Sequence, residues 1–206
     1  MPTIESVYSA LLPLADPDRA VGMEAYMRDK FPFLGVSAGV RRKATRAIVH
    51  ERPTDFDFAA QLFGEDEREF HYCACDHVRF GRLSTTDLPA LKRLVQTKSW
   101  WDTVDPLAKA VGSAADAESM RIWAADEDFW VRRVAIIHQL GFKQDTDAEL
   151  LSECIEANLG STEFFINKAI GWALRDYSKS NPSWVSEFIA THDLAALSVR
   201  EGSKYL

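Results

Sequence analysis

Apolar residues along the chain recur at spacings of three and four. Val7, Leu11, Leu12 and Leu14 open the pattern, and Val131, Val134, Ala135, Ile137 and Leu140 repeat it far downstream. That period lays apolar side chains along one stripe of an α-helix, whereas a half-buried strand alternates at two. No run of alternating Val, Ile and Thr around an Asn-Gly or Asp-Gly turn occurs, so strands have almost no support. The pattern predicts an all-α protein. Breakers such as Pro32, Gly35, Pro53, Gly64, Gly81, Pro106, Gly141, Gly160 and Pro182 cut it into roughly a dozen helices of about 9 to 17 residues. Ser37, Thr54 and Ser161 are the expected N-caps, since a hydroxyl there can accept from the unpaired amides of a first turn.

The helices also carry a repeat. Glu69-Phe70, Ser99-Trp100, Asp128-Phe129 and Glu163-Phe164 each set a small or acidic residue before an aromatic one, and the aromatics lie 30, 29 and 35 residues apart. A helix pair recurring at such intervals predicts an α-solenoid, an α-α superhelix of HEAT-like repeats, spanning residues 1–206 as a single repeat domain. Four positions after the aromatic, two repeats place Arg133 and Lys168, and Asp105 falls one position further in the Trp100 repeat. Equivalent positions in stacked repeats form a column. Arg, Lys and Asp in that column suit a groove floor better than a packed core.

Composition sets the class. Of 206 residues 47% are hydrophobic and 27% charged, which excludes a disordered or low-complexity chain. No apolar run approaches the roughly 18 to 20 residues of a membrane span. Residues 1–14 lack a basic start followed by an apolar stretch, and Cys73, Cys75 and Cys154 make an odd number without framework spacing. A cytoplasmic protein is expected. The formal net charge of −7 taken alone argues against a polyanionic partner. Its distribution reverses that argument: residues 28–46 hold six bases against one acid, and residues 143–163 hold one base against six acids. A basic face on an acidic protein follows, with Arg41, Arg42 and Lys43 at its densest point.

Two constellations could carry chemistry. In TKSWWDTVD (97–105), Trp101 and Asp105 stand at i and i+4 and share a helix face, and Trp100 and Trp101 cannot both enter one core. The bland alternative is a core Trp with an Asp closing the helix before Pro106. In FFINKAIGWALRDY, Lys168, Trp172 and Arg175 form a base-aromatic-base stripe, suited to phosphate contact and stacking; snorkelling cations around a half-buried Trp would look the same. Arg133 lies among Trp130, Val134 and Ile137, where an unpaired cation is costly, so it should face a groove or an anion. His71, Cys73, Cys75 and His77 resemble a metal site, but on a helix His71 and Cys75 face away from Cys73 and His77. They cannot close a tetrahedron, and no metal is expected.

AYMRDKFPFLGV (25–36), TKSWWDTVD, DFWVRRVAIIHQL (128–140), EFFINKAIGWALRDYSKSNP (163–182) and LSVRE (197–201), in this order, resemble the bacterial alkylpurine DNA glycosylases of the AlkD type, DNA alkylation repair proteins built from HEAT-like repeats. The resemblance implies a C-shaped solenoid whose basic concave groove holds double-stranded DNA, and hydrolysis of the N-glycosidic bond of N3- and N7-alkylated purines such as 3-methyladenine and 7-methylguanine. It implies that Asp105 is the catalytic carboxylate, that Trp101 and Trp172 flank the lesion nucleotide, and that Arg133 is the groove arginine. Lys168, Arg175 and Tyr26 fall on expected DNA contacts, to which the basic run adds Arg41, Arg42 and Lys43, and the TKSWWDTVD segment adds Lys98. No cofactor or metal is implied, and a monomer is expected. The segment 111–119 is shorter than the family's usual connection. A catalytically silent module binding damaged or branched DNA, and a protein-binding solenoid, are the alternatives.

Overall fold

The computed structural model describes residues 2–51 and 53–206. Among them are thirteen α-helices and no strand. The architecture is an α-solenoid of helical repeats, as the apolar period predicts. Among the described residues, no helix is long and apolar enough to cross a membrane. The chain divides into two compact units, Met1–Arg82 and Leu83–Leu206.

The first unit contains α1 (Ile4–Leu11), α2 (Pro17–Tyr26), α3 (Ala38–Val49), α4 (Phe56–Gly64) and α5 (Arg68–Arg79). α1 packs on α3 and α4, and α5 packs on the same two helices. Val7, Leu11, Leu62, Phe63 and Phe70 fill the space between them, each worth about 1.5–3 kcal/mol of burial. The segment between α2 and α3 is tied to α5 by one side chain. The buried Glu69 carboxylate accepts the backbone N–H groups of Leu34 at 3.0 Å, Gly35 at 3.0 Å and Val36 at 2.9 Å, which offsets the cost of burying its charge. Gly35 has φ 83°, and a Cβ there would lie 2.0 Å from the Asp16 carbonyl oxygen, so only glycine fits.

The four decoy metal ligands are all buried on α5. His71 accepts from Arg68 at Nδ1 and donates from Nε2 to the Glu65 carbonyl, and His77 donates from Nδ1 to the Val49 carbonyl and accepts the Asp55 N–H at Nε2. Both rings are held by the protein itself.

The second unit contains α6 (Leu88–Val95), α7 (Trp101–Gly112), α8 (Ala117–Ala124), α9 (Phe129–Ile137), α10 (Ala148–Glu156), α11 (Phe164–Ser178), α12 (Pro182–Thr191) and α13 (Ala196–Gly202). α7, α9, α11 and α13 pack in succession as one layer, while α6, α8, α10 and α12 back them. The aromatic repeat marks this layer. Trp100 caps α7, and Phe129 and Phe164 are the first residues of α9 and α11, whereas Glu69-Phe70 lies inside the first turn of α5.

Four local expectations are corrected, that for Ser37 only in part, since it is the N-cap residue of α3. The side-chain cap of α4 is Asp55, which accepts the Phe58 N–H at 2.9 Å, not Thr54. α11 starts at Phe164 after Glu163, and Ser161 instead accepts the Glu163 N–H. Ser37 precedes α3 without a side-chain cap bond. Pro106 does not end its helix, which runs on to Gly112. It sits one turn from the start, where it removes one i→i−4 bond, and burial of Leu107, Ala108 and Val111 outweighs that loss.

Candidate active site

α7, α9 and α11 present their chemistry to one cavity of about 340 Å³. From α7 come Trp101 and Asp105, one turn apart; from α9 comes Arg133; from α11 come Lys168, Trp172 and Arg175, with Phe164 and Phe165 at its mouth. Six of the sequence candidates thus meet in one place. Trp100 and Trp101 part as their adjacency requires. Trp100 is buried against Trp130 and Phe165, with ring centroids 5.8 and 4.9 Å away, and Trp101 is left half-buried at the cavity. The aromatic cluster beneath fixes the start of α7, and with it the direction of Asp105.

Arg133 and Asp105 form the floor. Arg133 Nε donates to Asp105 Oδ1 at 2.8 Å and Nη2 to Oδ2 at 2.9 Å, while Nη1 donates to the Phe165 carbonyl at 2.6 Å. Arg133, expected to face a groove or an anion, lines the cavity and has Asp105 as its anion. Only 3% of the arginine side chain is exposed, against 15% of the aspartate. The planar fork therefore spends its donors on orientation, and the carboxylate is the charged group that reaches the cavity. Burial pushes the Asp105 carboxyl above its ordinary range; Arg133 opposes this, and Asp102 adds to it.

The basic stripe on α11 carries a partner that sequence reasoning missed. Glu201 of α13 bonds Lys168 Nζ at 2.9 Å and Arg175 Nη1 at 3.2 Å. Lys204 joins it at 2.8 Å, and the ammoniums of Lys204 and Lys168 hold the Glu201 carboxyl down at about 2. The available signal was an acid in LSVRE beside Gly202, opposite a helix that carries Gly171. Two glycines mark where helices can approach closely.

The remaining candidates lie outside this cavity. Lys98 sits between α6 and α7 with a left-handed backbone, φ 44°. In the first unit Tyr26 is exposed at the end of α2, and Arg42 and Lys43 are exposed on α3. Arg42 lines a separate concavity of about 400 Å³ with Arg46, Arg79, His50 and Phe80. Arg41 is a correction: it is 4% exposed, with Nη1 2.6 Å from Asp76 Oδ2 and its guanidinium over Tyr72. A buried, paired cation is a packing element rather than a surface contact for DNA.

A search of curated proteins finds no match to the chain. A solved structure from Enterococcus faecalis, described as a predicted DNA alkylation repair enzyme, is similar with a TM-score of 0.85 and 37% identity, over 93% of this chain and 96% of that one. The family model for DNA alkylation repair enzymes matches residues 7–206. That span takes in every helix that lines the cavity, and the chain belongs to the DNA alkylation repair enzyme family.

Proposed function

We propose that the protein is an alkylpurine DNA glycosylase acting at the cavity between α7, α9 and α11. The observation that carries this reading is the Asp105 carboxylate, oriented by a two-bond guanidinium fork and opening into a cavity that two indoles also line. A glycosidase normally needs two carboxylates because its leaving group must be protonated. A purine alkylated at N3 or N7 is already cationic. When its bond to C1′ breaks, the electron pair neutralises the base, so no general acid is required. Water then adds to C1′ and loses a proton, and the product is an abasic sugar.

Asp105 stabilises the positive charge that develops on the deoxyribose. A unit pair about 4 Å apart at an effective dielectric near 20 gives about 4 kcal/mol, or roughly a thousandfold in rate. Arg133 sits behind the carboxylate, so this is an upper figure. Acceleration of that size serves an activated bond and leaves normal purines intact. Trp101 and Trp172 add cation-π attraction for the charged lesion. Lys168 and Arg175 stand where a DNA phosphate could meet them.

Release of 7-methylguanine or 3-methyladenine from methylated duplex DNA tests the reading. The wild type should release base, and Asp105→Asn should lose up to about a thousandfold of the rate while still binding duplex. Binding by the wild type without release would instead support a catalytically silent DNA-binding module.

A further inference from the structure

Glu201 lies behind the cavity wall. α13 crosses α11 at Gly171, where a Cβ would lie 2.6 Å from Glu201 Cβ and 3.0 Å from the Ser198 carbonyl oxygen. Ser198 Oγ fastens the crossing by donating to the Asn167 carbonyl at 2.9 Å. This close approach leaves Glu201 only 6% exposed, while Lys168 and Arg175, which it pairs with, keep 38% and 26% of their side chains open. The two cations line the cavity and Glu201 does not. A phosphate can therefore reach them from the cavity while the carboxylate holds them from behind.

We propose that Glu201 is a built-in counter-ion, which orients Lys168 and Arg175 toward the cavity and weakens their attraction for the phosphates of undamaged DNA. The inference rests on the reading that this cavity meets DNA. Non-specific binding is driven by the release of mobile counter-ions when a protein's cations neutralise phosphates. Cations that share one fixed carboxylate about 3 Å away, as Lys168, Arg175 and Lys204 share Glu201, contribute less to that release, and salt screens such a partly buried cluster weakly. What remains to favour binding is what a cationic lesion alone supplies, namely the two indoles and Asp105. A tie that only fastened α13 to α11 would predict weaker binding on its removal. The counter-ion predicts the opposite sign.

The test is a salt series of affinities for an undamaged duplex, using the full chain. Glu201→Gln should bind more tightly than the wild type at low salt, with a log-log slope steeper by up to about 0.9, because the substitution removes one negative charge. Its affinity should fall up to about 3-fold more than the wild type's between about 50 and 200 mM salt. Glu201→Asp, which keeps the charge, should keep the wild-type slope. A Glu201→Gln protein that binds no tighter, with an unchanged slope, overturns the proposal. Should that variant fail to fold, Lys168→Gln decides: a slope change well under one unit is expected, and loss of a full unit of about 0.9 overturns the proposal. Base release by the wild type with an unchanged Glu201→Gln slope sinks this inference alone. A wild type without duplex affinity sinks both it and the proposed function.

Discussion

Replacing Arg133 by Met removes the guanidinium and leaves a side chain long enough to fill its buried site. Asp105 then loses both partners, at 2.8 and 2.9 Å, and keeps the burial that already raises its pKa. A unit charge about 4 Å away at an effective dielectric near 20 is worth about 4 kcal/mol. Asp105 is 15% exposed, so water replaces part of that interaction, and its pKa should rise further. The carboxylate must be ionised to stabilise the sugar cation. The acid limb of the base-release rate should therefore move to higher pH in Arg133→Met.

Stability should run the other way. A carboxyl whose folded pKa lies above its unfolded one contributes stability that is fully present below the unfolded pKa and lost as pH rises through the folded one. Arg133→Met should thus lose most stability at neutral pH, about 3–5 kcal/mol for breaking a buried pair, and regain part of it in acid. Single-turnover release from methylated duplex, corrected for spontaneous depurination and paired with urea midpoints across the same pH range, reads both effects. An acid limb that stays at the wild-type position, or a stability loss that does not depend on pH, would refute the coupling of Arg133 to the Asp105 charge.

Trp172→Ala should slow release from methylated duplex by about 2- to 30-fold, the rate equivalent of about 0.5–2 kcal/mol of cation-π attraction, with a smaller effect on undamaged duplex binding; equal losses on both would place Trp172 in general packing. Glu69→Gln turns one acceptor of the α2–α3 segment into a donor facing the Leu34 N–H. It should cost about 1–3 kcal/mol of unfolding free energy and speed amide exchange at Leu34, Gly35 and Val36. An unchanged denaturation midpoint would contradict the clamp.

Helical geometry made half of the site legible before any fold was known. Trp101 and Asp105, and Lys168 and Trp172, share faces because a 3.6-residue period fixes spacings of four, and the structure keeps both pairs at one cavity. The repeat spacing placed α7, α9 and α11 in one register for a similar reason. Pairing across helices has no such local rule. Arg133 finds Asp105 28 residues away, and Glu201 reaches Lys168 only because Gly171 lets α13 come close. Counting charge along the chain therefore misjudged its use. Arg41 was read as part of a DNA-binding face and is neutralised by Asp76; Lys168 and Arg175 were read as phosphate contacts with no acid beside them in view, and share Glu201. Binding draws on the charge left after such pairs form, and catalysis on the charge left facing the cavity. By that measure the proposed reaction would use Arg133 as a positioning residue, its guanidinium spent on Asp105 and the Phe165 carbonyl, and Asp105 as the negative charge presented to the sugar cation.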